Sequence, residues 1–353
     1  MSDPDRRRVG LVCPGRGSYT AASLGSLPAD HPLVGRAEEL RARYDLEPLL
    51  ALDAAERFDP IRHLRPANAS ALTLLATMLD AERALADHEV VAVAGNSLGW
   101  YTALAVGGAL SFDDAFRLVQ EIALLQELPG AGDEVAEGGQ PGGGQVIYPL
   151  IDADWRPAPE LEAAVAAALH DGSRASDGET GQVYPSIDLG GYAVLAGDEP
   201  GLRRLLRDLP SVRIGERLYP LRLAQHGPYH TPLVAHVAEA ARAALAGLDW
   251  RAPRITLIDG RGARWSPWSS DPATLRDYTL GEQLTTPFDF ASSVTVLLRE
   301  QAPDALVLPG PGNSLGGICG QLVVAEGYRG IRTRADFESA QASGRPVVLS
   351  MRR

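Results

Sequence analysis

The sequence predicts an α/β protein with a smaller α+β unit inserted into it. Three observations carry that reading. Two short apolar runs, residues 9–13 and 90–94, read as buried strands, and each ends at a glycine-containing turn. The second turn, 95–99, leads into a helical pattern from Trp100 to Val106, the strand–turn–helix unit of an α/β fold. Between two stretches rich in glycine and polar residues, 129–144 and 170–182, and on to about 212, strand and helix patterns alternate on a smaller scale.

The elements follow in order. VGLVC at 9–13 feeds a loop at Pro14-Gly15. Residues 67–87 keep apolar side chains at helical spacing. Ser111-Phe112-Asp113-Asp114 has the look of a helix start, a polar cap followed by acids in the first turn, and that helix is expected to run to about Leu128. VIYPLI, an alanine-rich helix at 160–169, YAVLAG and a helix at 199–208 make up the inserted unit, with boundaries at about 131 and 212. Residues 218–224 are extended, 231–247 helical, 255–258 and 305–308 buried strands, and 291–301 a helix. The last segment, 333–353, carries little signal and reads as a peripheral arm.

With 353 residues and 45% apolar content, the chain can bury one large domain or a large domain carrying a small one. Its 37 glycines and 26 prolines gather in loops without a period, which excludes a solenoid or a collagen-like chain. Arginine supplies every basic side chain and lysine none, a mark of base-composition bias. The net charge of −12 argues against sequence-independent nucleic-acid binding. Arg203, Arg204, Arg207, Arg213 and Arg217 crowd one stretch, either as solvated surface or as a patch for an acidic partner. Cys13 and Cys319 have neither metal-ligand nor disulfide-framework spacing, and no metal is expected. The N-terminal stretch lacks a long apolar core and no run is long enough to span a membrane, so a cytoplasmic location is expected.

Gly95-Asn96-Ser97-Leu98-Gly99 fits G-x-S-x-G between a strand and a helix. A nucleophile on such a turn needs neighbours with almost no side chain, and the helix that follows presents its positive end to developing negative charge. Leu98 N–H would be one oxyanion donor. A serine hydroxyl needs a base. Of the seven histidines, His230 stands out, because Gly227-Pro228 fix a loop just before it at the end of an extended segment. Taken alone, a loop histidine of this kind can equally be a surface residue.

Five segments in this order resemble the malonyl-CoA:acyl-carrier-protein transacylase and polyketide synthase acyltransferase family over about residues 9–325. Residues 13–18 (CPGRGS) resemble F-P-G-Q-G-S. GNSLG at 95–99 resembles G-H-S-L-G, and the YTALAVGGALSFDDAFRLV that follows resembles its continuation. Residues 228–233 (PYHTPL) resemble A-F-H-S-P-L, Gln283-Leu284 with Pro287 resembles Q-L-x-x-P, and Leu308–Gly312 resembles V-G-P-G.

The resemblance implies an α/β-hydrolase-like large subdomain, 1–130 and 213–353, with a ferredoxin-like small subdomain, 131–212, inserted. It implies that Ser97 attacks a thioester, that His230 takes its proton, and that the backbone carbonyl of Gln283 orients the histidine, with no acidic third member. Backbone N–H groups of Leu98 and Arg16 would hold the oxyanion. The substrates implied are acyl-CoA and the phosphopantetheine thiol of an acyl carrier protein, with no bound cofactor and a monomeric chain.

Departures from the family concern the acyl pocket. Aligning Arg117-Leu118-Val119 with the family's R-L-V puts Ile122 where an arginine clamps the malonyl carboxylate. A carboxylate buried without a cation costs several kcal/mol. An uncharged acyl group is therefore expected, unless Arg16 or Arg222 supplies the charge from elsewhere. Asn96 replaces the histidine before the serine, Arg16 replaces a glutamine, and Tyr229 precedes the histidine. With Ile122 and Gln126, Tyr229 is expected to set acyl size. His226 could shape the pocket, serve as a second base, or be structural. A hydrolase that strips acyl groups from carriers would use the same residues. A non-catalytic carrier-binding module is the third alternative, and the intact Ser97 and His230 argue against it.

Overall fold

The structure, a computed structural model, describes residues 6–128, 142–170 and 181–352. Most of the two loops expected at 129–144 and 170–182 therefore lies outside the described residues. The strands are β1 (Arg8–Cys13), β2 (Glu89–Gly95), β3 (Gly144–Pro149), β4 (Val183–Asp188), β5 (Tyr192–Gly197), β6 (Val212–Ile214), β7 (Arg217–Tyr219), β8 (Leu221–Arg222), β9 (Thr256–Ile258), β10 (Arg264–Trp265), β11 (Phe288–Asp289), β12 (Ala305–Leu308) and β13 (Val348–Ser350).

The larger sheet runs β10-β9-β2-β1-β12-β13. All its pairings are parallel except β9 with β10. β1 and β12 are buried almost throughout, which is why they read as unbroken apolar runs rather than alternating ones. The helices Pro66–Asp87, Leu98–Val106 and Phe112–Leu125 pack on one another beside the sheet. Leu98–Val106 is apolar on nearly every side and buried along its length, as a helix in mid-core must be. Ser111 caps Phe112–Leu125 by accepting from the Asp114 N–H, with Asp113 and Asp114 in the first turn as expected. This helix stops three residues before the expected Leu128.

The smaller sheet runs β11-β4-β5-β3-β8. β3, β4, β5 and β8, with helices Pro159–His170 and Glu199–Asp208 between them, give a βαββαβ unit with antiparallel neighbours. This is the ferredoxin-like arrangement. Two of its strands lie past the boundary expected at 212. β8 is only two residues long and follows Pro220, too short to show alternation. β11 comes from the large subdomain and pairs with β4 in parallel, with Phe288 opposite Ile187.

Residues 333–353 are not a peripheral arm. Helix Arg334–Ala342 and β13 close the larger sheet, with β13 parallel to β12. Arg352 then makes two bonds of 2.7 and 2.8 Å to the fully buried Asp80. Asp80 also accepts the Gly310 N–H at 2.8 Å, so the chain end is tied to the Leu308–Gly312 segment. The sequence signal was weak because three strand residues are too few to show a period. Helices Pro32–Ala42, Leu49–Asp53 and Pro60–His63 were also not foreseen. In the first, Val34, Ala37 and Leu40 face the core, but Gly35 and the charged residues between them dilute the pattern.

Candidate active site

β2 delivers Ser97 to the edge of the cleft between the two sheets. Ser97 has φ 54° and ψ −110°, a conformation rare for a residue with a side chain. Its glycine neighbours explain how the turn closes. A Cβ on Gly95 would stand 2.2 Å from the Gly99 carbonyl, and one on Gly99 would stand 2.2 Å from the carbonyl oxygen of Cys13. Leu98 is the first residue of the helix, where a backbone N–H has no intrahelical acceptor. Arg16 opens a short 3-10 turn directly after β1, and a Cβ on Gly312 would come 2.6 Å from the carbonyl oxygen of Ser18 in the same turn. Gly312 of the last motif thus lets its loop touch the loop of the first.

Ser97 Oγ lies 2.8 Å from His230 Nε2. On the far side of the ring, Nδ1–H donates to the Gln283 carbonyl at 2.8 Å, and the backbone N–H of His230 donates to the Leu284 carbonyl at 3.0 Å. His230 is 3% exposed. Burial pushes its pKa down to about 4; the bond to Gln283 works against this, and the positive charge of Arg16 adds to it. The ring is therefore neutral near pH 7, with a lone pair on Nε2 facing the hydroxyl. Gln283 is held in turn. Its Oε1 accepts from Tyr101 Oη at 2.7 Å, and its Nε2 reaches the Ser97 carbonyl at 3.4 Å.

The dyad opens into a cleft of about 230 Å³, mostly apolar, with walls from both subdomains. Val119, Ile122 and Ala123 form one side, Ile147, Ile187 and Val194 of the smaller sheet another. No protein-family model matches the chain. It is 27% identical over 345 residues to the malonyl CoA-acyl carrier protein transacylase of Salmonella typhimurium, covering 96% of this chain and 97% of that protein. It is 28% identical over 339 residues to the Mycobacterium bovis protein of the same name, covering 94% and 98%. The solved acyl-carrier-protein S-malonyltransferase of Burkholderia pseudomallei matches at a TM-score of 0.69 and 25% identity, covering 89% of this chain and 93% of that one. These likenesses support the family that the five sequence motifs resemble, the malonyl-CoA:acyl-carrier-protein transacylases and polyketide synthase acyltransferases.

All ten residues singled out in the sequence line the cleft of this acyltransferase: Arg16, Asn96, Ser97, Leu98, Ile122, Gln126, His226, Tyr229, His230 and Gln283. The histidine at hydrogen-bond distance from Ser97 Oγ is His230, and His226 is tied into the small subdomain. Its Nδ1 bonds to Gln145 Oε1 at 2.8 Å, Gln145 Nε2 donates to Ser186 Oγ at 2.7 Å, and Ser186 Oγ donates to the Tyr229 carbonyl at 2.8 Å. This chain makes Nδ1 the donor and leaves Nε2 an acceptor. Burial, aided by the charges of Arg16 and His230, pushes the His226 pKa down to about 3.

Arg16 is 8% exposed. Its Nη1 donates to Gln126 Oε1 at 3.1 Å, and its guanidinium lies 4.6 Å over the Tyr229 ring. Three buried polar atoms here have no partner: Arg16 Nε, Tyr229 Oη and Asn96 Oδ1. Arg222 is committed elsewhere, in a two-bond pair with Glu199 at 2.8 Å. Of the arginine cluster, Arg204 is buried and bonds to the Gly181 carbonyl, while Arg217 reaches the cleft rim.

Sequence reasoning missed Tyr101, Gln145 and Ser186. Gln145 had a usable signal, a polar residue at the head of an otherwise apolar strand. Tyr101 had none, since a tyrosine on an apolar helix reads as core. Among the described residues no cluster of metal-ligating side chains occurs, and no helix is long and apolar enough to cross a membrane.

Proposed function

We propose that Ser97 carries the acyl group from a CoA or carrier-protein thioester to the phosphopantetheine thiol of an acyl carrier protein. The observation that carries this reading is the 2.8 Å contact between Ser97 Oγ and the neutral His230 ring, whose other nitrogen is tied to a backbone carbonyl. Ser97 Oγ attacks the thioester carbonyl as its proton passes to His230 Nε2. The tetrahedral oxyanion is stabilised by the N–H groups of Leu98 and Arg16. The carbon–sulfur bond breaks, His230 returns the proton to the leaving thiol, and an acyl-serine ester remains. The carrier thiol then attacks that ester by the reverse sequence. CoA and pantetheine are substrates, and the chemistry asks for no resident cofactor. Every group named comes from one chain, so a monomer suffices.

The expected preference for an uncharged acyl group rests on Ile122. That residue is apolar and lines the cleft, and the one arginine of the helix Phe112–Leu125, Arg117, bonds to the Ala244 carbonyl, so the helix presents no cation to the cleft. The cleft as a whole is not uncharged, because the Arg16 guanidinium shares it.

Incubation with a panel of acyl-CoAs, followed by intact mass measurement, tests the reading. A mass increase that disappears in Ser97→Ala is expected. Holo carrier protein should then remove the label and gain the same mass. Release of free acid with no gain on the carrier would assign the hydrolytic activity instead.

A further inference from the structure

We propose that the Arg16 side chain is the cation that reads a carboxylate at the distal end of the acyl group, delivered from the loop after β1 rather than from the helix bearing Ile122. This rests on the acyl-serine reading above and names the acyl class it serves.

The first argument is the state of Arg16 itself. A second buried arginine in this protein shows what a structural one looks like. Arg41 is fully buried, and its guanidinium is used up by the carbonyls of Glu47 and Ala67 and by the side-chain oxygens of Asn68 and Gln120. Arg16 is nearly as buried, yet it has a single hydrogen-bond acceptor, the neutral amide of Gln126, and its Nε has none. No carboxylate stands within ion-pair distance of it among the described residues. A largely buried guanidinium with one neutral acceptor and an unpartnered Nε is costly, and an anion entering the cleft lowers that cost.

The second argument is geometry. Gln126 lies four residues after Ile122, one helical turn along the same face. Arg16 thus brings its charge across the cleft to the face where Ile122 leaves none. The guanidinium carbon lies 4.6 Å over the Tyr229 ring, and the Nε, which has no partner, is a donor that the two-bond approach of a carboxylate would use. Tyr229 Oη, also buried and without a partner, is a further donor beside it. The charge of Arg16 is felt at His230, which places it in the same chamber as the dyad.

The test compares loading of Ser97 in the full chain by acetyl-CoA, malonyl-CoA and succinyl-CoA, followed by intact mass at early times. The wild type is expected to load a diacid at least tenfold more efficiently than acetyl. Whichever diacid leads supports the proposal and sets the reach. In Arg16→Gln, which installs the glutamine of the resembled family, the diacid-to-acetyl ratio is expected to fall at least thirtyfold. In Arg16→Gln with Ile122→Arg, which puts a cation back on the helix, the ratio should recover at least tenfold. The proposal is overturned if the wild type loads acetyl as well as either diacid, or if Arg16→Gln lowers all three in equal proportion. If no acyl-CoA labels Ser97 at all, the acyl-serine reading fails first and this one with it. Labelling by acetyl alone sinks this proposal and leaves the other standing.

Discussion

Pro287 follows Gln283 by four residues, and it leaves the Gln283 carbonyl for His230. The helix Gln283–Thr285 ends there, and Thr286 takes the extended φ −123°, ψ 156° that a following proline imposes. The Thr286 N–H still closes a helical bond to the Glu282 carbonyl at 3.0 Å. The next residue has no N–H to offer, so Gln283 O is not consumed by the helix. It meets His230 Nδ1 at 2.8 Å. The Q-L-x-x-P spacing thus has a physical content: the proline keeps free the acceptor that does the work of an acidic third member.

Pro287→Ala should let the helix extend and draw that carbonyl away. The loss of one such bond is worth about 1 kcal/mol, so kcat/KM for acyl transfer is expected to fall roughly fivefold. Because the bond to Gln283 raises the His230 pKa, the acid limb of the rate profile should move to lower pH in this variant.

The acid limb itself is a second expectation. Transfer requires a neutral His230, and its pKa lies near 4, below the ordinary histidine value of 6.5. Acylation rates should therefore hold as pH falls through 6.5 and drop only as it approaches 4. Arg16 contributes to that depression, so Arg16→Gln should shift the limb upward. Single-turnover acylation between pH 4 and 8 measures both.

Ser97→Gly and Ser97→Ala both abolish the acyl-enzyme, but they part company in stability. Glycine accepts φ 54° freely, whereas alanine keeps the strain. The glycine variant should be more stable than the alanine variant by about 1 kcal/mol, read from melting midpoints.

Gly99→Ala places a Cβ 2.2 Å from the carbonyl oxygen of Cys13 on β1. Backbone on both sides cannot give way cheaply. Destabilisation above about 3 kcal/mol is expected, with loss of soluble protein on expression.

Truncation after residue 345 removes β13 and Arg352, leaving the buried Asp80 carboxylate with the Gly310 N–H and the looser, 3.6 Å contact of the exposed Arg83. Removing one partner of a buried pair costs about 3–5 kcal/mol. Arg352→Met alone should lower the melting midpoint measurably, and Asp80→Asn in the same chain should restore part of it.

The sequence exposed the architecture where elements were long or sharply bounded. β1, β2, β12 and the helices Pro66–Asp87 and Glu199–Asp208 were legible because apolar runs or helical spacing persisted to a clear stop. β11 and β13 were not, since strands of two or three residues are made by their neighbours rather than by their own pattern; β8 lies in the segment expected to be extended, 218–224, but its place in the smaller sheet was not foreseen. The site was legible through spacing, because the glycines around Ser97 and the proline after Gln283 are demanded by backbone crowding. What spacing could not show was direction. Nothing in the chain order said that Arg16 would cross to Gln126, or that His226 would bond to Gln145.

His230, like Ser97, has a left-handed backbone, with φ 60°. Each of the two residues that exchange the proton would relax if its segment came loose: Ser97 is held between β2 and the helix Leu98–Val106, and His230 by its bonds to the Gln283 and Leu284 carbonyls. Heat or urea should therefore silence this enzyme while its helices still stand, because the reacting pair has the most to gain from letting go.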